Sequence, residues 1–181
     1  WVRLHPVRKM PLYFGRGAEH RFDDPRRTYG VLYVGEDESC AFVESYGEVL
    51  LASSGTWSHR LITLHELSRR GLARIHVKGG RKLRIVDFTG EGLSLLGADE
   101  RVCGGGEYGP AQAFSRAVWE HPERPDGLCY RARHDPSLLS IAIFDRARPR
   151  LRAVALGGLT GSANRPRLKR ILARYRIGTL P

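Results

Sequence analysis

The spacing of apolar and polar residues predicts strands and helices in irregular alternation. A short strand followed by a loop is expected within residues 1–20, and the turn-rich stretch 20–30 pivots on Asp23, Asp24 and Pro25. Apolar or alternating runs predict further strands at 31–34, 73–77, 81–88, 126–133 and 140–145.

Helical spacing predicts four helices between and after these strands. Acidic residues in the first turn of the segment 36–51 suit a helix N-terminus, and Pro110 occupies the favoured first position of another helix. The predicted helices span residues 36–51, 61–71, 110–121 and 165–178. Because strands and helices follow each other without a regular βαβ repeat, the predicted fold class is α+β with a mixed sheet.

Length and composition fit one soluble globular domain over residues 1–181, with 41% hydrophobic and 27% charged residues. No apolar run is long enough to cross a bilayer and no signal peptide is visible. A cytoplasmic protein is expected because three cysteines without CxxC spacing fit a reducing compartment. The cysteines are odd in number and lack CxxC spacing, and the histidines lack ligand spacing. We therefore expect neither disulfides nor a metal site.

Positive charge is concentrated at the C-terminal end. The net charge of the chain is +11. Residues 146–181 contain ten Lys and Arg and no acidic residue, so the first 145 residues are nearly neutral. This pattern indicates a surface for phosphates, nucleic acid or an acidic partner protein. A solvated arginine-rich helix is an equal alternative, with its apolar side packed inward through Leu168, Ile171, Leu172 and Tyr175.

Sequence motifs that bind nucleotides or nucleic acids are weak or absent in this chain. Gly104, Gly106 and Gly109 match the spacing GxGxxG, but no early βαβ unit surrounds them, so a loop is predicted. No helix-turn-helix, zinc-finger or RNP signature is visible, and the basic segment carries one aromatic residue, Tyr175. Direct nucleic-acid binding is disfavoured and is kept as an alternative from a different class.

Arg21, Tyr33 and Glu44 are the most informative polar set. Arg21 stands at the edge of a turn and Tyr33 in a strand, while Glu44 lies at the margin of the apolar stripe of the next helix. A carboxylate at such a margin can face a cleft. Spacing alone favours the structural alternatives, which are a surface ion pair, a half-buried strand residue and a solubilising helix residue.

Three segments together resemble the RES domain family, in order and in spacing. They are RFDDP…YGVLYVGEDESCAFVES, LRIVDFTG, and DGLCYRARHDP…SIAIFD, and the resemblance extends over essentially the whole chain. It implies a fold similar to that of ADP-ribosylating toxins. It also implies a toxin that consumes NAD⁺ by phosphorolysis or hydrolysis, or one that transfers ADP-ribose to a protein. The implied partner is an Xre-type helix-turn-helix antitoxin.

The resemblance assigns roles residue by residue. It places the family's Arg, Tyr and Glu on Arg21, Tyr33 and Glu44, and a second nucleotide-binding arginine on Arg3. Arg133, in a matched segment, is a further expected NAD⁺-binding residue. The arginines are expected to pair with the diphosphate and with an inorganic phosphate co-substrate. Tyr33 is expected to offer its ring to the nicotinamide or ribose, and the Glu44 carboxylate to stabilise the developing positive charge on the ribose.

Ala132 is the main departure from the family pattern, because it stands where the family has its serine. Two explanations are open: a natural loss of activity, or a deliberate Ser→Ala change that makes a toxic enzyme expressible. A shifted alignment is disfavoured because Arg133 to Pro136 match so well. The missing hydroxyl is expected to hold the nicotinamide ribose, so its absence should weaken catalysis.

Overall fold

The computed structural model describes residues 1–51 and 60–181, and its elements alternate as irregularly as the sequence predicts. Its strands are β1 (Val2–Pro6), β2 (Val31–Gly35), β3 (Leu61–Thr63), β4 (Arg70–Val77), β5 (Ile85–Asp87), β6 (Gly127–Ala132), β7 (Asp135–Phe144), β8 (Leu151–Gly158) and β9 (Gly178–Leu180). Its α-helices are α1 (Glu38–Tyr46), α2 (Leu64–Ser68), α3 (Glu91–Leu95), α4 (Arg101–Gly104), α5 (Gly109–Glu120) and α6 (Arg165–Arg174). Short 3-10 helices follow at Gly47–Leu50 and Asp145–Arg150.

The mixed sheet expected of an α+β domain is present. Within the described residues, seven strands form one sheet in the order β5-β6-β7-β2-β1-β4-β8. Its pairs are antiparallel except for β5 and β6, which are parallel. A separate parallel pair, β3 with β9, joins the C-terminus to the segment after residue 60. This arrangement confirms the predicted fold class.

Several predicted elements are confirmed and others are wrong in extent or type. Helix α1 ends at Tyr46 rather than continuing to 51, and the predicted strand 81–88 shortens to β5. The predicted helix 61–71 is replaced by β3, a five-residue α2 and the start of β4. Gly71 lies inside β4, opposite His5 of β1, so pairing between distant strands overrides the local helical pattern.

The apolar side chains pack on both sides of the sheet. One cluster joins α1, β1 and α6 through residues such as Phe42, Leu4 and Leu168. Leu168 and Ile171 of α6 are buried and Leu172 and Tyr175 pack against them, as the helical spacing predicts. The opposite side of α6 carries exposed basic residues, namely Arg165, Lys169, Arg170 and Arg174. Among the described helices, none combines the length and hydrophobicity needed to cross a membrane.

Gly35 allows helix α1 to start directly against strand β2. A Cβ atom at Gly35 would lie 2.6 Å from the Ala41 backbone nitrogen and 2.7 Å from the Cys40 Cβ. Such distances are far below van der Waals contact, so a side chain here would displace the helix that carries Glu44. The close approach of β2 and α1 therefore requires glycine.

Replacing Gly35 with alanine should destabilise the domain. We expect Gly35→Ala to lower the free energy of unfolding by about 1–3 kcal/mol, the usual effect of forcing an extra methyl group into a packed site. Chemical denaturation monitored by circular dichroism measures it. Gly79→Ala is the matched control, because a Cβ there meets nothing within 4 Å. Equal stability of the two variants would contradict the packing argument.

Candidate active site

A cleft of about 510 Å³ opens where strands β1 and β2 separate. In the described residues these strands are paired at a single position, Val2 opposite Gly35, and both contribute side chains to the cleft. Helix α1, the loop between β1 and β2, and the turn between β6 and β7 form the other walls. The cleft contains five of the six predicted site residues: Arg3, Arg21, Tyr33, Glu44 and Arg133.

Glu44 is held by two donors that carry no full charge. The Tyr130 hydroxyl donates to Oε2 at 2.6 Å, and the Arg133 backbone N–H donates to Oε1 at 3.3 Å. Burial raises the pKa of Glu44 above its ordinary value of 4.5, while both hydrogen bonds and the charge of Arg21 offset part of that rise. The carboxylate is thus fixed in position and poorly solvated.

Arg21 is buried and pairs with carbonyl groups. It is 8% exposed, and its Nη1 donates to the Gly105 carbonyl at 2.8 Å and more weakly to the Val102 carbonyl at 3.5 Å. Its guanidinium lies 4.9 Å from the centre of the Tyr108 ring. Carbonyl dipoles and an aromatic face do not neutralise the cation, so its positive field reaches the cleft.

Tyr33 and Asp23 hold the loop that carries Arg21. The Tyr33 hydroxyl donates to Asp23 Oδ1 at 2.9 Å and accepts from the Phe22 backbone N–H at 3.0 Å. Asp23 Oδ2 accepts from the backbone N–H groups of Glu19 and His20 at 3.1 and 3.0 Å. Burial and the neighbouring Asp23 keep the pKa of Tyr33 well above its ordinary range. The hydroxyl is therefore already bonded, and the ring is what Tyr33 offers to the cleft.

Arg3 projects from β1 into the same cleft. Its burial lowers the pKa of the guanidinium to about 10. In residues 1–51 and 60–181, its buried Nη1 finds no hydrogen-bond acceptor. A buried guanidinium nitrogen without an acceptor is unfavourable unless a ligand supplies one. Arg3 therefore marks a place suited to an anionic group.

Arg133 and His134 form the wall next to α1. The Arg133 guanidinium lies 3.4 Å from Glu48 Oε1, and the His134 ring sits so close to Gly47 that a Cβ there would overlap it. Burial, together with the charge of Arg133, lowers the pKa of His134. At neutral pH the imidazole is therefore mainly uncharged and can accept a proton at the cleft wall.

Ala132 is the predicted site residue that the structure does not bring into the cleft. It is fully buried in a cluster with Cys40, Val43 and Leu138. Ala132 does not line the cleft, but with Arg133 it lines a second pocket next to it. It could influence the site through its neighbour Arg133, whose backbone N–H bonds to Glu44. The expected direct contact with a ribose thus finds no support in this placement.

Sequence reasoning missed Tyr130, Asp23 and His134 as parts of the site. Tyr130 and His134 belong to a segment that matches the RES family, and Asp23 was interpreted as a turn residue. Only the pairing of β6 with β7 and of β7 with β2 brings Tyr130 beneath α1.

Across the described part of the chain, no three His, Cys, Asp or Glu side chains gather into a metal-binding group.

Comparisons with known proteins agree with this architecture. The family model described as RES domain matches residues 1–163. The chain is 27% identical over 112 residues to "Probable toxin y4kH" of Sinorhizobium fredii, a match that covers 62% of this chain and 84% of that protein. It shares its fold with a chain of the M. tuberculosis MbcT–MbcA toxin–antitoxin complex, with a TM-score of 0.62, 18% identity, and coverage of 86% of this chain and 82% of the other. The chain therefore belongs to the RES domain family.

Proposed function

We propose that this domain is a toxin-type enzyme that binds NAD⁺ in the β1–β2 cleft and breaks the bond between nicotinamide and ribose. One observation carries the proposal: Arg3, whose buried Nη1 has no acceptor among the described residues, and the half-buried, poorly solvated carboxylate of Glu44 line the same cleft. NAD⁺ matches this combination because it joins an anionic diphosphate to a ribose on which positive charge develops during cleavage.

The arginines suit the diphosphate. Arg3 lacks an acceptor for Nη1 among the described residues, and there the hydrogen-bond acceptors of Arg21 are carbonyl groups. A phosphate oxygen would satisfy the unbonded donor of Arg3 with a charge-assisted hydrogen bond. The same positive field would attract an inorganic phosphate that acts as co-substrate.

Glu44 suits the ribose. Cleavage breaks the N-glycosidic bond, and its electron pair leaves with the nicotinamide ring nitrogen, which thereby becomes neutral. The ribose carbon acquires oxocarbenium character until an oxygen of water or phosphate bonds to it. A fixed, poorly solvated carboxylate stabilises that charge and can orient the incoming hydroxyl. His134, uncharged and in the cleft wall, is positioned to take the proton that water releases.

We extend the proposal to the biological partner. The relatives include a probable toxin and a chain from a toxin–antitoxin complex, and the family resemblance implies an Xre-type antitoxin. The exposed basic residues of α6 would meet an acidic antitoxin surface. Residues 1–51 and 60–181 give no specific support to the alternative of direct binding to nucleic acid.

Replacing Glu44 with glutamine tests the proposed chemistry. Incubation with NAD⁺, with and without phosphate, should release nicotinamide slowly from the chain with Ala132 and faster from Ala132→Ser, and Glu44→Gln should reduce the rate in either background by roughly 10²–10³-fold. NAD⁺ affinity should change little, because the phosphate contacts remain. Because the folded-state pKa of Glu44 is raised, ionisation opposes folding as pH rises, so Glu44→Gln should also be more stable than the wild type at neutral pH.

Chromatography with mass spectrometry identifies the products of that reaction. ADP-ribose indicates hydrolysis and ADP-ribose 1″-phosphate indicates phosphorolysis, whereas a protein gaining the mass of ADP-ribose indicates transfer. Glu123→Gln, which changes an exposed carboxylate outside the cleft, is the control. Unchanged turnover in Glu44→Gln would reject the assigned role.

Replacing Tyr130 with phenylalanine should shift the pH dependence. Turnover in the wild type should fall as pH drops through the raised pKa of Glu44, because the ionised form is the active one. Tyr130→Phe removes a hydrogen bond that lowers this pKa, so the acid limb of the pH–rate profile should move to higher pH. Tyr29→Phe is the control, since that hydroxyl bonds Ser115 in the core. An unmoved acid limb would exclude Glu44 as the titrating group.

Restoring a hydroxyl at position 132 tests the family's serine. Because the side chain is buried beside the peptide that bonds Glu44, we expect Ala132→Ser to raise turnover by less than the roughly 10²–10³-fold typical of a direct transition-state donor. Nicotinamide release and thermal melting are the measurements. A lower melting temperature without any gain in turnover would show that the hydroxyl only disturbs packing.

A further inference from the structure

The cleft has two chemically different ends, which lie at opposite ends of strand β2. Glu44 bonds to Tyr130, and Tyr130 is in register with Ser140, which pairs with Gly35 at one end of β2. At the other end, Val31 forms a bridge with Gly15 in the loop after β1. Gly35 lies four residues further along the strand than Val31, which corresponds to roughly 13 Å.

The end at Val31 is basic and aromatic. Lys9, Tyr13 and Arg16 line the cleft here, and the Lys9 Nζ lies 3.9 Å from the centre of the Tyr13 ring. Tyr13 is 41% exposed, so its ring has surface available beyond the lysine. Arg16 is fixed by a 2.6 Å ion pair with Asp145. An exposed aromatic ring beside a cation suits a nucleotide, because a base can stack on the ring and a phosphate can pair with the cation.

The middle of the cleft connects the two ends. Arg3, whose Nη1 has no acceptor among the described residues, lines the cleft from β1 next to the Val2–Gly35 pair, and Tyr33 lines it from the middle of β2. A mononucleotide with its ribose at Glu44 would leave the Lys9–Tyr13 end empty. A dinucleotide would place its diphosphate at Arg3 and its second nucleoside at that end.

We propose that the subsite formed by Lys9, Tyr13 and Arg16 binds the adenosine-phosphate half of the substrate, so that the enzyme selects dinucleotides over nicotinamide mononucleotide. This inference rests on the proposed function, because it takes Glu44 as the reacting end. It adds the orientation of the substrate and the side chains that recognise its non-reacting half.

Binding of ADP tests the subsite without any reaction. Isothermal titration calorimetry should detect ADP binding to the wild type, and Tyr13→Ala should weaken it roughly 10-fold through the loss of stacking. Tyr13→Phe, which keeps the ring, should restore the affinity. Glu44→Gln should bind ADP as the wild type does. Arg8→Ala is a charge control, because Arg8 is exposed and does not line the cleft.

Turnover of two substrates provides the second measurement. The wild type should show a higher kcat/KM for NAD⁺ than for nicotinamide mononucleotide. Tyr13→Ala should lower kcat/KM roughly 10-fold for NAD⁺ and leave that for the mononucleotide unchanged. Melting temperatures of the variants show whether each remains folded.

These outcomes distinguish a failure of the proposed subsite from a failure of the proposed function. Absent ADP binding, or equal ADP affinity in Tyr13→Ala and wild type, would overturn the subsite even if nicotinamide is released. Equal losses for both substrates would do the same. Tyr13-dependent ADP binding in a protein that releases no nicotinamide would support the subsite as a purine-nucleotide site and reject the proposed cleavage.

Discussion

The site depends on charged groups that are removed from water and hydrogen-bonded to neutral groups rather than to an opposite charge. Glu44 is held by a hydroxyl and a peptide N–H, Arg21 by carbonyl groups, and Arg3 leaves one nitrogen unbonded in the described chain. Neutral dipoles compensate part of the desolvation and leave the charges uncancelled. Such groups stabilise charge on a ligand more strongly than solvated ion pairs do.

The fold brings these charges to one cleft and fixes them there. In the described residues β1 and β2 pair only at Val2 and Gly35, and Arg3 and Arg21 line the cleft between them. Gly35 lets α1 start close to the sheet, so that Glu44 bonds to Tyr130 of β6. Asp23 and Tyr33 bind the loop that carries Arg21. The burial that raises the pKa of Glu44 also makes its ionised form unfavourable for folding, which is a common compromise between stability and activity.

The sequence predicted much of the site and less of the topology. Arg3, Arg21, Tyr33, Glu44 and Arg133 share one cleft, and the resemblance to the RES family located them where spacing alone favoured structural roles. The helix predicted over 61–71 is wrong because pairing with β1 is a long-range interaction that local periodicity does not encode. The contact of Tyr130 with Glu44 and the burial of Ala132 likewise follow from strand register, which becomes visible only in three dimensions.

The most direct test of the account is a crystal structure of the Glu44→Gln variant with NAD⁺ bound. One dinucleotide should lie in the β1–β2 cleft, with its diphosphate within hydrogen-bond distance of the Arg3 guanidinium and its nicotinamide ribose beside residue 44. A dinucleotide bound outside this cleft, or one whose diphosphate makes no contact with Arg3, would contradict it.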